Sequence, residues 1–123
     1  MIAPARKTNV LTDLDNGIAD YIHEINDLGY KTYLSCSAMK EDVHDKEQCP
    51  FICFCPIDLA GEELVNYYRF LGDCFYNSNW FVEYISHYVI GYLPWGLSDS
   101  KIRDRFERLI QNLKMMDFFK NSY

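Results

Sequence analysis

Two hydroxyls flank a thiol at Ser35, Cys36 and Ser37, inside the stretch GYKTYLSCSAM that runs from Gly29 to Met39. The residues before them alternate as a strand does, so the cluster falls at a strand tip, where main-chain N–H groups are no longer spent on a ladder. Such N–H groups, with hydroxyls that donate or accept and a thiol beside them, can hold a carboxylate, a phosphate or a ribose edge. The ordinary structural alternative is that serines there satisfy the turn backbone. Ser35, Cys36 and Ser37, joined by Trp80 and Glu83 from a later segment, are the expected ligand-binding residues.

Other chemistry is less well marked. His44, Cys49, Cys53 and Cys55 are four potential zinc ligands within a dozen residues. However, C-x-C on a strand places Cys53 and Cys55 on one face, and no C-x₂-C knuckle is present, so buried thiols acting as small hydrophobes are expected and no metal. Cys36 or Cys74 with His23, His44 or His87 would make a thiolate pair in principle, yet no local signature ties one to another. Asp13 with Asp15, and Glu62 with Glu63, read as charges at helix starts. No glycine-rich cofactor loop occurs, so no cofactor is expected. These readings lean away from an enzyme.

Surfaces offer more. The segment from Lys40 to Gln48 is acidic on balance, and Glu41, Asp42, Asp45 and Glu47 are the expected partner-binding residues. Tyr76, Trp80, Tyr84, Tyr92 and Trp95 bracket a single hairpin and read either as a stacking or contact patch or, in part, as core. Lys101, Arg103, Arg105 and Arg108 form a basic side on the last helix, a weak hint of an anionic ligand.

With 123 residues, the chain is the size of one domain able to bury a real core. Its net charge is −6, and residues 1–60 carry most of it, with five Lys and Arg against ten Asp and Glu. Such a chain has no general attraction for the phosphates of duplex nucleic acid; its acidity reads first as a solubility device, with complementarity to a basic protein surface as the alternative. Ten tyrosines and eight phenylalanines are too many to bury entirely, since each buried tyrosine hydroxyl needs a partner. Five cysteines with no leader-like run and no bilayer-length apolar stretch suggest a reduced, cytoplasmic protein off the membrane.

The elements that must position these residues follow from period. Ile18, Tyr21, Ile22, Ile25 and Leu28 share a helical face, with Asp15 or Asn16 as the expected cap and Gly29 as a left-handed stop. YKTYLSC reads as a strand with Thr32, Leu34 and Cys36 on one side and Lys31, Tyr33 and Ser35 on the other. FICFC, between Pro50 and Pro56, reads as a buried strand. Leu64, Tyr67, Tyr68, Leu71 and Phe75 mark a second helix. Trp80 to Ile85 and Tyr88 to Leu93 are two strands turning near Ser86–His87, with one long bent strand as the rival reading. Ile102, Phe106, Leu109, Ile110, Leu113 and Met116 mark the last helix, capped by Ser98 or Asp99, with Arg103–Glu107 and Asp104–Arg108 as i,i+4 pairs. The first 13 residues read as a loose arm. The sum is a single α+β domain, α-β-β-α-β-β-α, with a small, mainly antiparallel sheet and helices packed on it.

The run IADYIHEINDLGYKTYLSCSAM…CPFICF resembles small bacterial and phage proteins with a helix, then Gly-Tyr-x-Thr-x-x-Ser-Cys-Ser-Gly-His, then a strand. Ser35-Cys36-Ser37 is more distantly similar to the Ser-Cys-Ser-Gly-Arg signature of the wybutosine-synthesising tRNA methyltransferases. The likeness covers the N-terminal third to half of the chain, on Gly29, Tyr30, Thr32, Ser35, Cys36 and Ser37, whereas Ala38 and Met39 depart from the pattern. It implies shared architecture and an accessory protein of phage or mobile-element type. The function expected is a non-catalytic binding protein for a small anionic or nucleotide-like ligand, or one that blocks a basic host defence protein through its acidic and aromatic surface. An RNA- or nucleotide-modifying enzyme is the alternative.

Overall fold

The computed structural model describes Asp15, residues 17–39 and residues 49–121. Helix α1 (Ala19–Asp27) leads into strands β1 (Thr32–Cys36) and β2 (Phe51–Phe54). Helix α2 (Gly61–Asn77), strands β3 (Phe81–Ile85) and β4 (Tyr88–Tyr92), helix α3 (Asp99–Met116) and a short final turn, α4 (Phe118–Asn121), follow. The α+β order read from the sequence is the order observed.

The four strands form one antiparallel sheet in the order β1-β2-β4-β3. Residues 81–92 make two strands, not one, because a two-residue turn at Ser86–His87 reverses the chain; Ser86 has φ +55°, the positive value that hairpin turns of mirror type require. Opposed residues share a face, so register sorts the side chains. Ile52, Phe54 and Val89, all fully buried, point toward the helices. Gly91 lies on the same side, and the Phe75 ring of α2 packs on its bare backbone: a Cβ there would fall 2.0 Å from Phe75 Cε1.

The helices meet this face with the stripes their periods dictate. Ile22 and Ile25 of α1, Tyr67, Leu71 and Phe75 of α2, and Phe106 and Leu109 of α3 join one core cluster. Ser98 Oγ accepts from the Lys101 N–H and caps α3, and Asp104 pairs with Arg108 at 2.9 Å. Gly29 closes α1 at φ +104°, with the Phe119 ring where a side chain would stand.

Three local expectations are corrected. Ile18, not Asp15 or Asn16, takes the α1 cap position and supplies no side-chain bond; the Asp15 carboxylate is instead turned to the Ser37 N–H at 2.7 Å. The last helix, whose sequence pattern runs on to Phe119, ends at Met116, because Asp117 adopts φ +34° and separates α4. Simple alternation also fails in β1. A register shift between Thr32 and Ser35 puts both on the helix side, opposite Phe54 and Ile52, and leaves Tyr33 and Leu34 together in a bulge.

Candidate functional site

The Ser-Cys-Ser tip is a closed corner. Ser37 is fully buried, its N–H donates to Asp15, and its Oγ accepts from the Met39 N–H at 3.1 Å. Cys36 is buried as well. Ser35 Oγ differs: it points helixward, is buried, and has no hydrogen-bond partner among the described residues. At Ser37 the polar groups are spent on the Asp15 carboxylate and on the Met39 N–H.

Trp80 and Glu83 do not join this tip. β1 and β3 are opposite edges of the sheet, three strand spacings or about 14 Å apart. Trp80 is a core residue: its Nε1 donates to the Arg105 carbonyl at 3.1 Å, and its ring stands edge-on to Phe106 at 5.0 Å. Glu83, three residues on, points to the other side of the sheet. The five rings around the hairpin likewise disperse. Tyr84 reaches back to α2, where its hydroxyl donates to the Tyr68 carbonyl, while Tyr76 on α2 and Trp95 after β4 are exposed. Glu41, Asp42, Asp45 and Glu47 lie outside the described residues, as does His44.

The thiols are poorly placed for nucleophilic work. Burial pushes Cys53 and Cys74 up to about 12 from an ordinary 9.0, so both are neutral at physiological pH. Cys74 Sγ lies 3.9 Å from Met116 Sδ, and Cys55 Sγ points at the Lys31 carbonyl. His23 and His87 are exposed on α1 and in the hairpin turn. No group of three metal-binding side chains converges among the described residues. A shallow groove of about 440 Å³ between α1 and α3 is lined by Tyr21, Glu24, Asp104, Glu107, Arg108 and Lys114. Its charges answer one another: Lys114 with Glu24, Arg108 with Asp104, and the Tyr21 hydroxyl on Glu107. Arg105, from the supposed basic side of α3, donates to the Asn79 carbonyl.

Among the described residues, no helix packs on the second face of the sheet, and its β3–β4 side is the more exposed. Antiparallel sheets with one side in water usually alternate apolar-in and polar-out. Here both sides are apolar. β4 presents Tyr88, Ile90 and Tyr92 away from the helices, and β3 presents Phe81, Glu83 and Ile85 beside them. Phe51, half-buried, continues this side on β2, where Cys53 and the neighbouring Cys36 are buried, and the bulge adds Tyr33 and Leu34 at the far edge. Phe81, Ile85 and Leu34 are 55%, 51% and 48% exposed. Two cross-strand ring pairs organise the face, Phe81 with Tyr92 and Tyr33 with Tyr88, each stacked at 5.4 Å between centroids. Among the described residues Glu83 is the one charged strand residue on it.

Sequence reading found Tyr92 and Glu83 but missed Phe81, Tyr33 and Tyr88. The signal was present in FVEYI and YVIGY, which are apolar at both parities, the pattern of a strand covered on two sides. No helix of the described residues is long and apolar enough to cross a membrane. Comparison with family models, curated proteins and solved structures finds no match to the chain.

Proposed function

We propose that this is a non-catalytic binding protein whose open aromatic sheet face docks a protein partner. The observation that supports it is the mismatch between strand composition and coverage: strands apolar on both sides, with helices, among the described residues, on one side only. Burying Phe81, Ile85 and Leu34 against a partner would recover about 25 cal/mol for each Å² removed from water. The stacked rings are rigid, amphipathic contact groups of the kind that anchor interfaces. A net charge of −6 makes a basic partner the electrostatic fit. An accessory protein that masks a basic target, the form suggested by the sequence resemblance, would work through such a face.

A photo-reactive side chain at position 81 tests this, with one at Tyr76, an exposed position on α2, as the control. The expected outcome is a discrete protein adduct from position 81 and none from 76 in the native cell. Equal labelling from both, or labelling from 76 alone, would refute the face.

One atom favours a second reading, in which a small anionic or nucleotide-like ligand sits at the strand tip: the buried, unpartnered Ser35 Oγ. Thermal shift against nucleotides and a methyl donor separates the two. Stabilisation that Ser35→Ala abolishes supports a pocket, and methyl-donor turnover would support an enzyme.

A further inference from the structure

β3 closes one side of the sheet, and among the described residues no strand pairs with its outer edge. Natural sheets guard such edges with a bulge, a proline, an outward lysine or a covering element. β1, at the opposite edge, obeys this rule, with its bulge between Thr32 and Ser35 and α1 packed beside it. Among the described residues β3 has no bulge, proline or lysine; α2 packs on its helix side as α1 does on β1, and Glu83 is the one charge along it. Its sequence, FVEYI, contains no proline and no lysine, its register with β4 runs unbroken from Phe81 to Ile85, and all its residues except Val82 are exposed. An edge this open is a template for another strand.

The hairpin determines what that edge displays. With a two-residue turn, Ile85 and Tyr88 are a hydrogen-bonded pair, and bonded and non-bonded pairs then alternate along the ladder. Phe81, Glu83 and Ile85 therefore direct their main-chain groups at β4, while Val82 and Tyr84 direct theirs outward. An added antiparallel strand would bond to Val82 and Tyr84. The residue facing Glu83 would then sit in a non-hydrogen-bonded pair, where side chains approach most closely. Glu83 lies between Phe81 and Ile85 on the apolar face, so covering that face demands a counter-charge for its carboxylate. A second copy paired symmetrically about Glu83 would set two carboxylates opposite each other, which is destabilising, and the net charge of −6 opposes self-association further.

Area points the same way. Four strands of about five residues give a footprint of about 19 by 17 Å, or roughly 300 Å². With Cys36 and Cys53 buried within that outline, the exposed part is smaller still, and far less than half of the roughly 800 Å² that one side of a standard interface buries. The neighbouring edge is the contiguous surface able to enlarge it.

We propose that the open edge of β3 accepts a strand from a basic partner protein, with lysine or arginine opposite Glu83 and apolar residues opposite Phe81 and Ile85. This rests on the face being the docking surface and specifies how the partner engages it: main-chain bonds supply the register, and alternate side chains supply the choice.

The test uses the full chain and two synthetic heptapeptides, Thr-Ile-Thr-Lys-Thr-Ile-Thr and the same peptide with Glu at its centre. Binding is followed by NMR and amide hydrogen exchange. The expected result is protection confined to the Val82 and Tyr84 amides, with the Lys peptide favoured roughly two- to fivefold. Glu83→Lys should reverse that preference. Val82→Pro should abolish binding, since it removes an outward donor while sparing the ladder to β4; a thermal melt confirms that it folds. Failure of the Lys peptide to bind up to millimolar concentration overturns the proposal, as does equal affinity for the two. Perturbation of Tyr33, Tyr88 and Tyr92 without protection at Val82 and Tyr84 overturns the edge and leaves the face standing. Dimerisation without peptide, or binding that appears only when residues 1–14 are removed, assigns the edge to a second copy or to the chain itself and also overturns it.

Discussion

Gly91→Ala is the sharpest test of the packing that leaves the aromatic face outward. Gly91 sits mid-strand in β4 on the helix side, and a Cβ there would lie 2.0 Å from Phe75 Cε1, where ordinary contact begins at 3.4 Å. The ring would have to retreat by more than 1 Å. It has nowhere to go: Phe75 is fully buried, with the Phe54 and Trp80 rings at centroid distances of 5.6 and 5.5 Å. Overpacking of this kind costs about 1–3 kcal/mol, and an immobile ring places it near the upper end. Loss of glycine's extra freedom in the unfolded chain returns roughly 0.5–1 kcal/mol, leaving a net loss of about 2 kcal/mol. For a domain of this size that lowers Tm by roughly 8 °C. Gly72→Ala is the internal control. Its Cβ meets only the Tyr84 hydroxyl, the end of an exposed side chain that can swing aside, so the cost should stay under about 1 kcal/mol. Thermal melts of both variants, with Phe75→Leu and the Gly91→Ala/Phe75→Leu pair, complete the cycle. The double variant should be at least about 1 kcal/mol more stable than additivity gives. A Gly91→Ala melt within 1 °C of wild type, or an additive cycle, would refute the contact.

Alkaline pH should weaken the fold. Burial holds Cys53 and Cys74 at about 12 in the folded chain, while their ordinary value is 9.0. Below pH 9 their contribution is fully present; above it the unfolded chain releases protons that the folded chain keeps, so stability falls as pH climbs toward 12. Each thiol contributes a slope of about 1.4 kcal/mol per pH unit, and Tyr30 and Tyr67, also raised by burial, add to the loss above 10. Melts at pH 8 and 10.5 should show it, and a flat profile would contradict the burial of these groups. Ser35→Ala should change stability by no more than about 0.5 kcal/mol, or raise it, because it removes a buried hydroxyl without a partner. Thr32→Val should cost about 1–2 kcal/mol, since the Thr32 Oγ1 accepts from Asn26 Nδ2 at 2.9 Å. If denaturant titration shows Ser35→Ala to be the worse of the two, Ser35 Oγ has a partner beyond the described residues.

Much of this architecture was legible from period alone. The stripe Ile102, Phe106, Leu109, Ile110, Leu113 survives intact in α3, because a 3.6-residue repeat over five turns admits one face. Gly29 was legible because its left-handed conformation suits few other residues. The Ser86–His87 turn left a long bent strand as the rival, because Ser86 takes φ +55° without the glycine or asparagine that such turns favour. The bulge at Tyr33 and Leu34 was not, since a single inserted residue leaves no local composition mark, yet it moves Ser35 from one face to the other. The burial of Trp80 was hidden for a similar reason: its neighbours Phe75 and Phe106 arrive from helices on either side of it in sequence. The open face depends on β2 pairing with β4 across the α2 connection, and no single segment carries that information. Only the double-sided apolarity of FVEYI and YVIGY pointed to it.

The affinity of the crosslinked partner for face and helix variants tests the central claim most directly. Phe81→Ser and Tyr92→Ser should each weaken binding by about 30-fold, the roughly 2 kcal/mol of an aromatic anchor, without changing the fold. Tyr76→Ser and Val65→Ser, exposed on α2, should stay within about twofold of wild type. Helix variants that abolish binding while the two face variants leave it intact would contradict the claim.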